Sequence, residues 1–459
     1  LRAAAADPAR GSLLTVLRAV GLNGQRVYAA DVRSRTYLRD LDVQIATSAV
    51  QVDPVTGKIE EGAVLDIRPR LAPDASHALI ETRFHMSRLT ALETFEPGGA
   101  AQGRLQLPVR DNLVAGTTVG CPIGRTLLLC AGTAGADGQV TAVLLRPSLS
   151  ADGAGGAVKS TEKREMRFFD VANLTQQVPD FSSGFRLLSQ KFQSGDGPGL
   201  TFSSPELVGS TVEPEDLENW IRSNVEPRSW KNSRNRIEMW GTHFAVVQTP
   251  EVLDQIAAFL AAAVPNRSRM VSVESALVAF DEAGWLARRA SLSGANPAEA
   301  DVAAVLDAAR RGDGCRIVGG TQVAAMNGER VHCWNGMDRD FVLDVDSEVT
   351  ESASASDPVV GGIDGGFSLE VRPTMAGDQR TIRLELRPVW QDVSPPEMLD
   401  PQADGIAPFQ RLRTAEFRFD GLQFVGENTW TLAGTASRNS DGRREVMVLL
   451  VRARSMEVK

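Results

Sequence analysis

Hydrophobic and polar positions follow two rhythms along this chain. In the second half Phe367, Leu369 and Val371 alternate with polar residues, as do Ile382, Leu384 and Leu386. Phe417 and Phe419 sit between Glu416, Arg418 and Asp420, and Met447 to Val451 is a short apolar run. A period of two is that of a strand with one buried face. Arg372-Pro373 ends one such strand, and Met270 to Phe280 reads as another. Between residues 165 and 264 the rhythm changes. Arg167 to Val171 predicts a strand, Pro214 to Val225 a helix, and Arg236 to Trp240 and Phe244 to Gln248 two strands joined by Gly241-Thr242. Thr249 is placed as an N-cap with Pro250 at the first helical position. Val252, Ile256, Phe259 and Leu260 then form one helical face. A further helix is expected from Asn296-Pro297 to about Arg311, stopping at Gly312.

The β-patterned stretches repeat. Asn23-Gly24-Gln25-Arg26-Val27 recurs as Asn327-Gly328-Glu329-Arg330-Val331, an offset of 304. At the same offset Asp40 and Asp42 match Asp344 and Asp346, and Asp53-Pro54-Val55 matches Asp357-Pro358-Val359. Gly62, Leu65, Arg68-Pro69 and Asp74 match Gly366, Leu369, Arg372-Pro373 and Asp378. About eighteen identities fall in 52 gapless positions, where chance gives roughly four. A second block, Ala131-Gly132-Thr133-Ala134 and Ala433-Gly434-Thr435-Ala436, aligns at a slightly shifted offset. Asn-Gly supplies positive φ, so Asn23-Gly24 and Asn327-Gly328 are each expected to make a tight hairpin.

Composition narrows the chemistry. The chain has 459 residues and a net charge of -9, which argues against a nucleic-acid partner. No apolar run approaches the ~20 residues of a membrane-spanning helix. Cys121, Cys130, Cys315 and Cys333 permit two local disulfides, or are four small buried residues. The four histidines show no metal-ligand spacing, and no P-loop, dinucleotide fingerprint or nucleophile elbow is present. No cofactor and no metal are therefore expected. Asp40/Asp42 and Asp344/Asp346 place carboxylates on one strand face; a structural role is preferred over calcium binding. The seven tryptophans are spread over different elements, which favours packing over a sugar site.

The order of these pieces resembles the secretin family, outer-membrane channels whose periplasmic α+β modules precede a β domain that donates strands to a shared barrel. Thr249-Pro250-Glu251-Val252 resembles the end of a periplasmic module, and Val271 to Phe280 the strand opening the secretin domain. Asn327-Gly328-Glu329-Arg330-Val331, Phe367 to Pro373, Leu107-Pro108-Val109 and Gly124-Arg125-Thr126-Leu127-Leu128 resemble its later segments. Ala49 to Ile59 and Ala353 to Ile363, where a secretin inserts its membrane-facing hairpin, alternate small and polar residues instead of a large apolar band.

The expected fold is α+β and β-dominated. Two secretin-like β domains, 1–155 (with 1–12 the end of a preceding helix) and 266–459, flank a two-layer, KH-like α+β module at 156–265. The chain is expected to begin partway through a repeat unit, after a missing module. The expected function is non-enzymatic: a subunit of a homo-oligomeric ring or pore in the bacterial cell envelope, periplasm or outer membrane. Its partners would be itself and other envelope proteins; membrane association is left open, with no transmembrane helix. The alternative is a monomeric periplasmic or surface protein whose tandem β-sandwiches bind glycan or protein.

Overall fold

The computed structural model describes residues 11–46, 49–72, 75–96, 104–134, 139–149, 164–175, 178–181, 206–208, 212–241, 243–263, 269–349, 354–399, 409–440 and 443–457. The strands are β1 (Val27–Ala46), β2 (Ala49–Leu71), β3 (His77–Phe95), β4 (Leu105–Pro122), β5 (Leu127–Ala134), β6 (Gln139–Leu145), β7 (Glu165–Asp170), β8 (Val178–Asp180) and β9 (Glu206–Val208). Next come β10 (Arg236–Trp240), β11 (His243–Gln248), β12 (Arg269–Asp281), β13 (Cys315–Met326), β14 (Val331–Val349), β15 (Ser354–Met375) and β16 (Thr381–Val393). The last are β17 (Glu397–Leu399), β18 (Phe409–Arg411), β19 (Thr414–Arg418), β20 (Gly421–Gly426), β21 (Trp430–Ser440) and β22 (Arg443–Glu457). The helices are α1 (Ala172–Thr175), α2 (Pro214–Asn224), α3 (Pro250–Ala263), α4 (Glu282–Arg288) and α5 (Glu299–Arg311).

Strands dominate, and every sheet is antiparallel. One sheet runs β1-β2-β3-β4-β14-β15-β16-β19, with β20 also on β16; a second runs β21-β22-β12-β13-β5-β6. Both sheets draw on both halves of the chain. The halves meet where β4 pairs β14 and β5 pairs β13. A common core lies between the sheets, including Leu65, Phe84, Leu113, Val273, Val323, Phe367, Leu384 and Leu449. On the outer face of the six-stranded sheet, α5 buries Val302, Val305 and Ala308 against Phe280, Val448 and Leu450, with Trp285 of α4 packed beside them. The arrangement is thus three layers over the proximal half of the larger sheet.

At 18 to 23 residues, β1 to β4 are long strands, on the order of 60 Å or more. Their distal halves outrun the smaller sheet, and Phe95, Leu105 and Leu107 are buried there together with Val342 of β14. The Leu38 amide donates to Gln106 Oε1 (3.0 Å), which brings the first strand of the first copy back to its fourth. In the second copy the Val342 amide donates to Gln410 Oε1 (2.7 Å). Gly62 and Gly366 sit near the bend with φ of +130° and +99°. A Cβ on Gly62 would lie 2.0 Å from the Asp31 carbonyl oxygen, so only glycine fits.

The same offset governs registers and turns. Val27 pairs Ile67 and Val331 pairs Val371, with bulges at Leu38/Asp40 and Val342/Asp344. At each bulge the aspartate accepts from the next amide, Asp40 from Leu41 (2.9 Å) and Asp344 from Val345 (2.8 Å). The offset stays at 304 into β5 and its counterpart β21. Arg125 N donates to Pro122 O and Thr429 N to Gly426 O, and the bulges at Leu128/Cys130 and Leu432/Gly434 coincide. This corrects the shifted alignment of Ala131 to Ala134 with Ala433 to Ala436: geometrically Gly132 corresponds to Ala436, and the sequence match is accidental.

Other expectations shift as well. Asn23-Gly24 and Asn327-Gly328 do form tight turns, closed by Gln25 N to Leu22 O and Glu329 N to Met326 O. They are corners and not hairpins, because β13 and β14 belong to different sheets. Each turn is clipped to a strand end: Asn23 and Asn327 accept from Leu71 N and Met375 N (both 2.7 Å), and Gly24 and Gly328 donate to Pro69 O and Pro373 O. Helix α5 starts at Glu299 after Ala298, since Asn296 instead accepts from Thr431 Oγ1 (3.0 Å). Residues 1–10, including the expected helix end, lie outside the described residues.

The intervening module has its own core. The sheet β10-β11-β7 packs Phe169, Ile237, Phe244 and Val246 against Leu217 and Ile221 of α2 and Leu253 and Ile256 of α3. Short β8 and β9 pair with each other beside it.

Candidate functional site: the seam between copies and the open sheet edges

The seam is where the two halves of the chain meet, and it is built from paired backbone and buried charge. Strand β4 meets β14 along eight rungs, from His332 opposite Gly116 to Arg339 opposite Val109. At the next-to-last rung Arg110 lies opposite Asp338, with side chains only 6% and 3% exposed. Arg110 Nε donates to Asp338 Oδ2 (3.1 Å) and Asn112 Nδ2 to Asp338 Oδ1 (2.6 Å). His85 Nε2 reaches Asn112 Oδ1 at 3.3 Å. Burial drives the His85 pKa down to about 4, so the imidazole is neutral at pH 7. Tyr37, buried in the distal half of β1, has its phenol pKa raised by burial and, secondarily, by the Asp340 carboxylate.

Nearer the corner, Glu329 is 2% exposed and points into the seam. It accepts from Thr118 Oγ1 (2.5 Å) and Thr118 N (3.2 Å). Burial pushes its carboxyl pKa up to about 8 against those hydrogen bonds, and the Glu81 carboxylate adds to the rise. The corresponding first-copy residue is Gln25, an exposed side chain that accepts from Leu22 N (3.0 Å).

Beside this lie two matching charge clusters. Arg26 binds Asp66 (3.2 Å) and Glu81, and Arg83 binds Asp66 (2.5 Å). In the second copy Arg330 binds Glu370 (2.7 Å) and faces Glu385 (3.7 Å), and Arg387 binds Glu370 (3.0 Å). The second cluster gains Asp180 from β8, which contacts Arg330 (3.3 Å) and Arg372 (2.9 Å). Next to it Phe181 is buried over Gly116. His332 Nδ1 lies 3.0 Å from the Phe181 carbonyl, which makes it the donor. The β8 segment of the α+β module therefore straps the seam.

Each sheet also ends in open edges. In the larger sheet these are β1 and, at the far side, β19 with β20; in the smaller they are β21 and β6. An unpaired strand edge presents a row of unused donors and acceptors. Leu422 and Phe424 are exposed at one end of the larger sheet and Tyr28 at the other.

The four cysteines admit two arrangements, local disulfides or small buried residues. All four are buried free thiols, and neither local pair forms. Cys130 instead hydrogen-bonds Cys333 across the seam; that bond and burial hold its pKa well above the usual thiol range. The reason is topological: β4 and β5 lie in different sheets, as do β13 and β14, so sequence neighbours face apart. The Asn-Gly turns position Glu329 and the Arg26 and Arg330 clusters. Among the described residues, no three His, Cys, Asp or Glu side chains converge as a metal site. Among the same residues, no helix is long and apolar enough to cross a membrane; strands are a separate matter. Sequence reading missed Glu329, Arg110–Asp338 and Asp180. Matching charge class and not identity at the offset would have flagged Asp66 with Glu370 and Glu81 with Glu385.

No protein-family model and no curated protein matches the chain. Among solved structures it is similar to the InvG secretin domain β-barrel from the Salmonella SPI-1 injectisome, at 11% identity and a TM-score of 0.29, over 64% of this chain and 88% of that one. It is similar to the type II secretin XcpQ of Pseudomonas aeruginosa at 10% and 0.24, over 52% and 72%. It is also similar to the type IV competence pilus secretin PilQ of V. cholerae at 10% and 0.24, over 49% and 70%. At such TM-scores the likeness alone carries no functional weight, and the ground for a functional reading is the strand topology of this chain.

Proposed function

We propose that this chain is a non-enzymatic structural subunit of a large homo-oligomeric ring or pore complex of the bacterial cell envelope, assembled by β-sheet formation between secretin-like domains. The observation that supports this reading is the seam. Two copies of one β unit, 304 residues apart, already join edge to edge within the chain in both sheets. The outer edges of that pair remain open. A unit that joins to itself by one edge and exposes the next is built for continuation, and full closure removes the edges. The α+β module, strapped to the seam through Asp180 and Phe181, is read as the ring-building piece that fixes the copies, with other envelope proteins as partners.

The test is direct imaging. Purified full-length chain, kept under native conditions, should give closed rings on electron-microscope grids. A field of monomers contradicts the reading.

A second reading has one observation behind it. Phe168 and Trp240 form an exposed edge-to-face pair, ring centroids 6.4 Å apart, on the outer face of the α+β sheet. Exposed aromatic pairs suit glycan or protein recognition. A monomer that binds an oligosaccharide array, with binding abolished by Trp240→Ala, would favour a tandem β-sandwich binding protein.

A further inference from the structure

The seam inside the chain joins two segments related by the offset of 304 to their neighbours in both sheets. The first-copy counterpart of β13 is residues 11–22, by the offset of 304. In the second copy β13 lies between β12 and β5, with Ala324 3% exposed. Residues 11–22 carry no assigned secondary structure, and Val20, the counterpart of Ala324, is 93% exposed. Leu13, Leu14, Val16 and Leu22 are exposed too. Five large apolar side chains in water along a segment whose twin is a central strand indicate a missing neighbour. The complementary open edge also exists. Strand β21 is the counterpart of β5, and it ends its sheet. In the larger sheet, β19 and β20 are the counterpart of β4, and they end theirs beside exposed Leu422 and Phe424.

We infer that a second copy of this chain docks head to tail by reproducing the internal seam, with β1 and residues 11–22 of one subunit laid against β19–β20 and β21 of the next. The inference rests on the assembly reading above and fixes its register. Moving the rungs of the internal seam by 304 places Tyr28 opposite Asp420, Ala30 opposite Arg418, Val32 opposite Glu416 and Ser34 opposite Thr414. In the other sheet it places Leu17 opposite Ala436 and Ala19 opposite Gly434. Only the last rung of the larger sheet, Arg35 opposite Arg413, sets like charges together. Every residue that β14 and β13 use within the chain has its counterpart at the chain's outer edges. The distal ends are not disturbed, because the Leu38–Gln106 contact that closes the first copy is also made by its twin, Val342–Gln410, next to a formed seam.

The test is disulfide trapping in the assembled full-length chain. Directly opposed positions lie about 4.5–5.5 Å apart between Cα atoms, within reach of a disulfide. Ala30 and Arg418 are both exposed, so Ala30→Cys/Arg418→Cys should fold. Mild oxidation with a small disulfide donor should then give a ladder of covalent multimers on non-reducing gels. Ala30→Cys/Thr414→Cys, displaced by four residues or about 13 Å, should give none. If native particles are rings but only the displaced pair links, or neither does, the register is wrong while the assembly reading stands. If no particle larger than a monomer forms, both fall.

Discussion

Replacing Glu329 by glutamine should make the protein more resistant to alkaline pH. Glu329 is 2% exposed and its carboxyl pKa is pushed up to about 8, against about 4.3 in an unfolded chain. The raised value means that the folded state keeps a proton the unfolded chain has released. Its stabilising contribution is therefore complete below about pH 4.3, declines as pH rises, and is gone above about 8. Each pH unit in that window costs up to about 1.4 kcal/mol, so pH 5 to 8 costs at most about 4 kcal/mol. Arg70, whose guanidinium lies in the field of Glu329, moderates this, so the figure is an upper limit. Glutamine keeps an oxygen for Thr118 Oγ1 and Thr118 N and cannot ionise; the first copy already has Gln25 at this position. Urea midpoints measured at pH 5, 6.5 and 8 should nearly coincide for wild type and Glu329→Gln at pH 5. They should separate by roughly 2 kcal/mol or more at pH 8, the variant being the more stable. Parallel pH profiles would refute the assignment of a protonated carboxyl to the seam.

Removing Arg110 alone, as Arg110→Ala, leaves Asp338 buried without its cation and should cost about 3–5 kcal/mol in urea unfolding; the double change Arg110→Met/Asp338→Leu should recover most of it, and failure to recover would point to backbone disruption. Gly62→Ala must fit a Cβ 2.0 Å from the Asp31 carbonyl oxygen at φ +130°, so a loss of about 2 kcal/mol or more is expected, and a change under ~0.5 kcal/mol would mean the bend is soft. Cys130 and Cys333, both 0% exposed, should resist a maleimide in the native protein and label fully in urea; rapid native labelling would show that the seam opens.

Much of the architecture was legible in the chain because the signals were backbone-level and local. Asn23-Gly24 and Asn327-Gly328 mark turns because Gly24 and Gly328 need positive φ. Gly62 and Gly366 recur because a bend in a long strand excludes a side chain there. Asp40 and Asp344 recur because each caps a bulge. What stayed hidden was everything decided by which sheet a strand joins. An Asn-Gly turn between two apolar runs reads as a hairpin, yet here it carries the chain from one sheet to the other, and a like switch at Gly124-Arg125, from β4 to β5, separates Cys121 from Cys130. The seam itself joins Arg110 to Asp338 and Thr118 to Glu329, residues more than 200 positions apart, and no periodicity encodes such a meeting. Asp180 was invisible for the same reason: it lies in a short strand whose importance comes only from docking beside Arg330.

The central claim, that the open edges of one chain are completed by another, is tested most directly by the native mass of the purified full-length protein in solution. A narrow distribution at one large integer multiple of the 49.3 kDa chain, reduced to smaller species when proline replaces Ala30 and Val32 on the β1 edge, is the predicted result. A mass of one chain, unchanged by those substitutions across the accessible concentration range, would contradict it.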